Sequence, residues 1–309
     1  MLYLSTKNKA DSFTAHKVLY SDATPDGGMF MPMQLPVQDD FALARFEEMS
    51  FGEAVAIIVN LFFGTTLSGW DVDLTIGRQT VELVSMGHKV SIAESWHNPV
   101  GRHSYLEQRL YNLAIGDKEN TQAPNAWFRT VVKIAILFGI YGKYSCQEIY
   151  EFDVAVDTAD LQMLLAVRYA KKMGLPVRRI VLGCSDRDGM WDLLTRGEYS
   201  VLNKDRDIVL EALLWLEFRY DETERYNSTL EMRNIYRLSV LQQEQFCFEL
   251  FATVVGDRRV ENIMKSTLMT DRYKMGPGTA RAFSALMNYR ARTGENKNTL
   301  LFSQNMPKS

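Results

Sequence analysis

The chain has 309 residues, enough for one large domain or two ordinary ones with a sizeable core. Apolar residues make up 46%, charged residues 24%, and the net charge is −3, so no concentrated basic face for nucleic acid or an anionic membrane is expected. Three scattered cysteines, Cys146, Cys184 and Cys247, exclude a disulfide framework and fit a reducing compartment, and no Cys/His group has zinc spacing.

In chain order, MLYLSTKNKAD lacks the apolar stretch of a signal peptide. The longest uncharged run, Ala54 to Trp70, is broken by Asn60, Gly64, Thr65, Thr66 and Ser68 and is too short to span a bilayer. A cytoplasmic protein is expected. Leu2 to Ser5 reads as a strand and Ser12 to Leu19 as a short amphipathic segment. Thr24-Pro25-Asp26-Gly27-Gly28 is a turn, because proline presets φ and glycine accepts positive φ. Ser50 to Phe63 reads as a buried helix with Phe51, Val55, Ile58 and Phe62 on one face, and Thr75 to Met86 as a second helix. Together, residues 1–93 form a first unit.

Further on, Trp127, Val131, Ile134, Leu137 and Ile140 have helical spacing within 122–142. Glu151 to Val156 is a strand, Ala159 to Met173 a helix stopped by Gly174, and Val177 to Leu182 a second strand. Strand, crossover helix and strand make a right-handed βαβ unit, hence a parallel sheet in an α/β fold. A helix follows from Asp188 to Thr195, closed by Gly197. Asp207 to Lys265 reads as mostly helical and rich in charge, Thr279 to Arg292 as a last helix and Thr299 to Ser303 as a last strand.

Several stretches, in order, resemble threonine synthase, an enzyme of the pyridoxal phosphate (PLP) fold type II. They are LYLST at 2–6, ATPDGGMFMP at 23–32, MSFGEA at 49–54, YAKKMGLPVRRIVLGCSDRDGMWDLLTRGEYS at 169–200, GPGTARAF at 276–283 and the final LLFSQNMPKS. The resemblance implies an N-terminal threonine-synthase-like domain over 1–93. It implies a reduced fold-type-II large domain over 94–309, with a parallel sheet and flanking helices. Only AIGDKENTQAP stands between Leu113 and Asn125, so the inserted substrate subdomain is expected to be missing.

Carried over residue by residue, the family's cofactor-lysine motif falls on ESWHNPVGRHSY, where Glu94, His97 and Pro99 match. The lysine position falls on Ser104, or with a one-residue slip on His103, and neither offers the primary amine that a Schiff base needs. The family's glycine-rich phosphate turn falls on Ala159-Asp160-Leu161-Gln162, where a carboxylate replaces the glycines. Ser303 keeps the hydroxyl of the threonine expected near the pyridine nitrogen. No PLP, no metal and no catalytic residue is therefore expected. The remnant-cleft candidates are His97, His103, Ser104, Asp160, Asp188 and Ser303.

Plainer readings stand beside these. His97 reads as a turn histidine bonded to nearby backbone, its loop stiffened by Pro99. His103 and Ser104, with Glu107 near, would make a nucleophile–base pair only if adjacent side chains met, and neighbours in sequence point apart. Asp186 and Asp188 around Arg187 read as a solvated loop, with Asp188 capping the helix that follows. Tyr220 to Tyr226 reads as a wet, charged face. Cys184, Phe62, Phe63, Trp127 and Trp215 read as core.

Losing a subdomain would expose the cleft face, to be refilled by Trp96, Arg102, His103, Tyr105 and Leu161 or covered by a second chain. The reading is thus a non-catalytic, threonine-synthase-like protein with a binding, scaffolding or regulatory role. Its partner would be a second copy or a threonine-synthase-like protein. The alternative is a related enzyme or a binder of an amino acid or phosphorylated amino acid through a remodelled cleft.

Overall fold

The computed structural model describes residues 1–77, 81–145, 149–186, 189–200, 204–218 and 235–307. Asp188, Arg187, Cys146 and the stretch Tyr220 to Tyr226 lie outside the described residues.

The N-terminal part folds around a small antiparallel sheet in the order β2-β1-β3, made of β1 (Leu2–Ser5), β2 (Phe13–Thr14) and β3 (Phe30–Pro32). Its β1–β3 pairing is fixed by the predicted turn. Gly27 takes φ +74°, and the Asp26 carboxylate accepts from Ser5 Oγ at 2.7 Å and from the Gly28 amide at 3.0 Å. Around the sheet lie α1 (Ala15–Leu19), α2 (Asp40–Glu48), α3 (Phe51–Phe63) and α4 (Gly69–Ile76). The start of α3 is set by a capping box between Ser50 and Glu53, and its end by Gly64 in the left-handed region at φ +66°.

The second predicted helix, Thr75 to Met86, is not formed. α4 ends at Gly77, where φ is +81°, and Glu82–Ser85 is instead a strand, β4. Val81 to Val84 offers period-two, β-favouring side chains to a neighbouring strand, and that pairing outweighs the weak helical pattern. Strand β4 and all but the last residue of β5 (Val90–Glu94) fall within 1–93 yet lie in the main sheet, not in the small one.

The main sheet has six strands in the order β10-β7-β6-β11-β5-β4, where β6 is Phe152–Asp157, β7 Val177–Cys184, β10 Leu250–Val254 and β11 Thr299–Ser303. All neighbours run parallel except the edge pair β4–β5. β10 and β9 (Ile235–Arg237), which pairs with the earlier β8 (Glu198–Ser200), interrupt the stretch Asp207 to Lys265 that the sequence suggested was mostly helical. Along this half of the chain lie the helices α8 (Gly189–Arg196), α9 (Lys204–Phe218), α10 (Val240–Cys247) and α11 (Asp257–Thr270).

Helices cover both faces, which is why the strands read as nearly continuous apolar runs. Val154 and Val156 of β6 face one core with α6 (Ala126–Ser145) and α7 (Leu161–Lys172). Ala155, between them, faces a second core with α11 and α12 (Pro277–Thr293). The first core runs without a break into the N-terminal part. Trp127 of α6 meets Phe62 of α3 at 5.4 Å and Tyr169 of α7 at 5.0 Å between ring centres, both edge-on. Phe63, Trp215 and Cys184 are buried as the sequence suggests. Among the described residues no helix is long and apolar enough to cross a membrane.

Candidate functional site

In an open parallel sheet the crevice beyond the carboxyl ends of the strands is where side chains from separate elements converge. Here β5, β11 and β6 end side by side. β5 delivers Glu94 and Ser95, β11 delivers Ser303 and Gln304, and β6 leads through Asp157 to Asp160 at the start of α7. The Asn98–Gly101 turn, with Gly101 at φ +67°, then sends the chain into α5 (His103–Ile115). Asn98 braces this turn by accepting from the amides of Val100 and Arg102 at 3.1 and 3.3 Å. The last strand clamps it, since the His103 amide donates to Gln304 O at 2.7 Å and the Met306 amide to Gly101 O at 2.9 Å.

An outer group of side chains surrounds Glu94, which is buried. Its carboxylate lies 2.7 Å from His97 Nε2 and accepts the hydroxyl of Tyr273, a residue of the α11–α12 connection, at 2.5 Å. Burial first, and then the hydrogen bond to Glu94, push the Tyr273 hydroxyl well above the usual range for a phenol. Trp96 stacks on His97 with 4.2 Å between ring centres and donates its indole N–H to Ser303 Oγ at 3.0 Å. His97 is therefore held by a carboxylate and an indole, not by nearby backbone. A buried strand-end carboxylate has to find donors, and the imidazole three residues on supplies one.

The inner group is more deeply buried. His103 is 4% exposed, with Nδ1 2.8 Å from Ser95 Oγ. Its Nε2 is 3.2 Å from Glu107 Oε1, one turn along α5, but is not aligned for a hydrogen bond and has no other partner. Lys133, from the middle of α6, puts Nζ 3.1 Å from the same carboxylate oxygen and 3.5 Å from Gln304 Oε1. The amide end of Gln304 donates to Asp160, whose other oxygen caps α7 by accepting from the Met163 amide at 3.0 Å. A polar chain thus runs from Ser95 through His103, Glu107, Lys133 and Gln304 to Asp160.

Charge in this chain is set by burial and by one cation. Burial alone would raise the Glu107 carboxyl, but the Lys133 ammonium, through its charge and its hydrogen bond, holds it well below the usual carboxylate range. Burial, and then the Lys133 charge, lower His103 below an ordinary histidine, so its imidazole is neutral near pH 7.

Of the residues expected from sequence, His97, His103, Asp160 and Ser303 come together in this crevice. Ser104 does not: it faces solvent on α5 while His103 faces inward, so the two side chains point apart as expected. Of the residues expected to refill the cleft, His103 and Leu161 are buried, Trp96 and Tyr105 half-buried, and Arg102 exposed. Arg102 points out because its backbone, bridged to Asn305, is the turn that precedes the helix. Sequence reasoning passed over Ser95, Tyr273, Gln304 and, above all, Lys133. The signal for Lys133 was a cation placed among Val131, Val132, Ile134 and Ala135, in a helix apolar on nearly every side.

The fold, a mostly parallel six-stranded sheet with helices on both faces, is shared with solved threonine synthases. Threonine synthase from Brucella melitensis, solved with PLP bound, superposes with a TM-score of 0.82 at 14% identity, covering 99% of this chain and 89% of that one. The yeast enzyme gives 0.78 at 14% identity, covering 99% and 87%. Residues 2–78 match the family described as "Threonine synthase N terminus". The curated relatives include threonine synthase-like 2 of Homo sapiens and of Mus musculus, each 30% identical over 106 residues. That match takes in 31% of this chain and 22% of the relative, about a fifth of its length. The chain is thus similar to threonine synthases over residues 2–78 and in its fold.

Proposed function

We propose that this threonine synthase-like chain is non-catalytic, and that its own side chains fill the crevice in place of a Schiff-base-bound cofactor. One observation carries this reading: the two residues that fall on the family's lysine position are His103, buried against Ser95, and Ser104, which faces solvent. Neither has an amine. PLP also needs a seat for its phosphate, and the N-terminal turn of α7 is engaged by the Asp160 carboxylate. The nearest crevice amine, Lys133, is the ion-pair partner of Glu107. PLP therefore does not fit the residues present, and binding is the role that remains. A second copy or a threonine-synthase-like protein is the partner class carried over by analogy.

The test is to incubate the purified chain with PLP, record the visible spectrum, reduce with borohydride and map adducts by mass spectrometry. We expect no aldimine band and no adduct inside the crevice. A stoichiometric adduct on Lys133 would overturn the reading and favour a remodelled, chemically active crevice.

A further inference from the structure

We infer that the outer face of α10 and the cationic groove beside it form a docking surface for an acidic amphipathic segment of another protein. The surface lies at the C-terminal end of α7, the end away from the crevice, so the inference holds however the crevice is read.

The helix supplies the apolar part. Ser239 and Gln242 form a capping box that fixes the start of α10. Its inner side is anchored by Phe246, which is fully buried with the Arg168 guanidinium 5.1 Å from its ring centre. At about 3.6 residues per turn, the opposite side carries Val240, Leu241, Glu244, Gln245 and the C-cap Phe248. Val240, Leu241 and Phe248 are 71%, 76% and 79% exposed. A helix anchored by one stripe ordinarily turns polar residues outward, so three large apolar side chains gathered on the outer face mark a contact surface.

The groove supplies the charge. It has a volume of about 310 Å³ and runs from Phe248 to the last turns of α7, where Arg168, Lys171 and Lys172 line it. Arg168 is buried and pairs with Glu217 at 2.7 Å. Lys171 and Lys172 are more exposed, with Glu249 at 3.1 Å and Glu217 at 3.3 Å. Arg179 of β7 adds a guanidinium that donates to Phe248 O at 2.9 Å and has no ion-pair partner among the described residues. Four cations thus stand beside three carboxylates, Glu217, Glu244 and Glu249, on a chain whose net charge is −3. A second copy would set this local positive excess against itself across a two-fold axis. A helix with carboxylates flanking an apolar stripe complements both parts, its stripe on Leu241 and Phe248 and its carboxylates on Arg179 and Lys172.

Two synthetic amphipathic helices serve as probes, sharing one leucine stripe and differing only in flanking it with glutamate or with lysine. Binding to the full chain is followed by fluorescence anisotropy at low ionic strength. The glutamate peptide is expected to bind at least about fivefold more tightly than the lysine peptide, and Lys172→Glu to abolish that preference. Leu241→Ser and Phe248→Ser are each expected to weaken the glutamate peptide at least about fivefold. Both positions are largely solvent-exposed, and either variant alone suffices if the other does not fold. Equal binding of the two peptides, no binding of either, or undiminished binding by the serine variants overturns the inference. A wild-type dimer in sedimentation velocity that F248S converts to monomer also overturns it, because the occupant would then be a second copy.

Discussion

Replacing Lys133 by methionine keeps most of the side chain's volume and removes its charge. What is left is a Glu107 carboxylate with 7% of its side chain exposed, beside a neutral imidazole and far from water. Such an orphaned charge costs about 3–5 kcal/mol when one partner of a buried pair is deleted. The cost has a ceiling, because the protein can take up a proton instead. An ordinary glutamate titrates at 4.5, so protonating Glu107 at pH 7 takes 2.5 pH units at about 1.36 kcal/mol each, about 3.4 kcal/mol. Protonating His103 is the competing relief, at the expense of desolvating an imidazolium. Either route binds one extra proton on folding, so the penalty must shrink as pH falls. By the Glu107 route it is only about 0.7 kcal/mol at pH 5. We therefore expect K133M to lose about 2–3.5 kcal/mol in urea denaturation at pH 7, with unchanged m-value, and under about 1 kcal/mol at pH 5. The double variant K133M/E107L, with no charge left to strand, should return to within about 1 kcal/mol of the wild type. A penalty that is the same at pH 5 and pH 7, or a double variant as unstable as the single one, would refute the assignment of Lys133 as the cation that holds this crevice together.

Two further outcomes concern His103 and Gly142. His103 has its folded proton affinity lowered by burial, so its contribution to stability is fully present above the ordinary value of 6.5 and is lost as pH falls below it. Relative to H103N, the wild type should lose up to about 1.4 kcal/mol per pH unit from pH 6.5 downward, and parallel stability–pH curves for the two would show that the imidazole is not buried neutral. In α6, an alanine Cβ at Gly142 would lie 2.3 Å from the Phe46 carbonyl oxygen of α2, so G142A is expected to lower stability by about 1–3 kcal/mol. An ordinary helical Gly→Ala change gains up to about 1 kcal/mol, so a rise in melting temperature would mean that α2 and α6 do not approach so closely.

Local signals were legible wherever a few adjacent residues decide the conformation. The 24–28 turn, the Ser50–Glu53 start and Gly64 stop of α3, and the β6–α7–β7 unit all follow from turn chemistry, caps and hydrophobic period. β10 was not legible, because Leu250–Val254 lies in a charged stretch between helical patterns and becomes a strand through pairing with β7. β4 was misread for a related reason: it is a four-residue edge strand, half-buried to exposed, that becomes a strand through pairing with β5. The site was partly legible. Residues 94–104 announced themselves by composition and by resemblance, but the inner chain is assembled from 95, 103, 107, 133, 160 and 304, which meet only when three strands and three helices are in place. Lys133 belongs to a helix whose period reads as core, and nothing within four residues of it in sequence indicates that a carboxylate on α5 lies opposite.

Filling the crevice with polar groups instead of apolar ones follows from what lines it. A buried ion pair is at best neutral against well-packed hydrophobic side chains of the same volume, so stability alone does not favour Lys133 and Glu107. The walls, however, are the ends of strands and the starts of helices, which carry unpaired backbone groups wherever they are cut off from water. α5 begins without a side-chain cap, and its first amide is satisfied only by Gln304 O. α7 begins with an amide that Asp160 must satisfy. Residues that answer these backbone demands bring polar side chains with them: Gln304 turns its amide toward Asp160, and Lys133 reaches the other end of that amide and Glu107. An apolar residue at position 160 would leave the start of α7 unpaired, at about 1–3 kcal/mol for each group. The geometry that makes such a crevice receptive to a charged ligand is thus the same geometry that, without one, calls for charged and polar side chains of the chain itself.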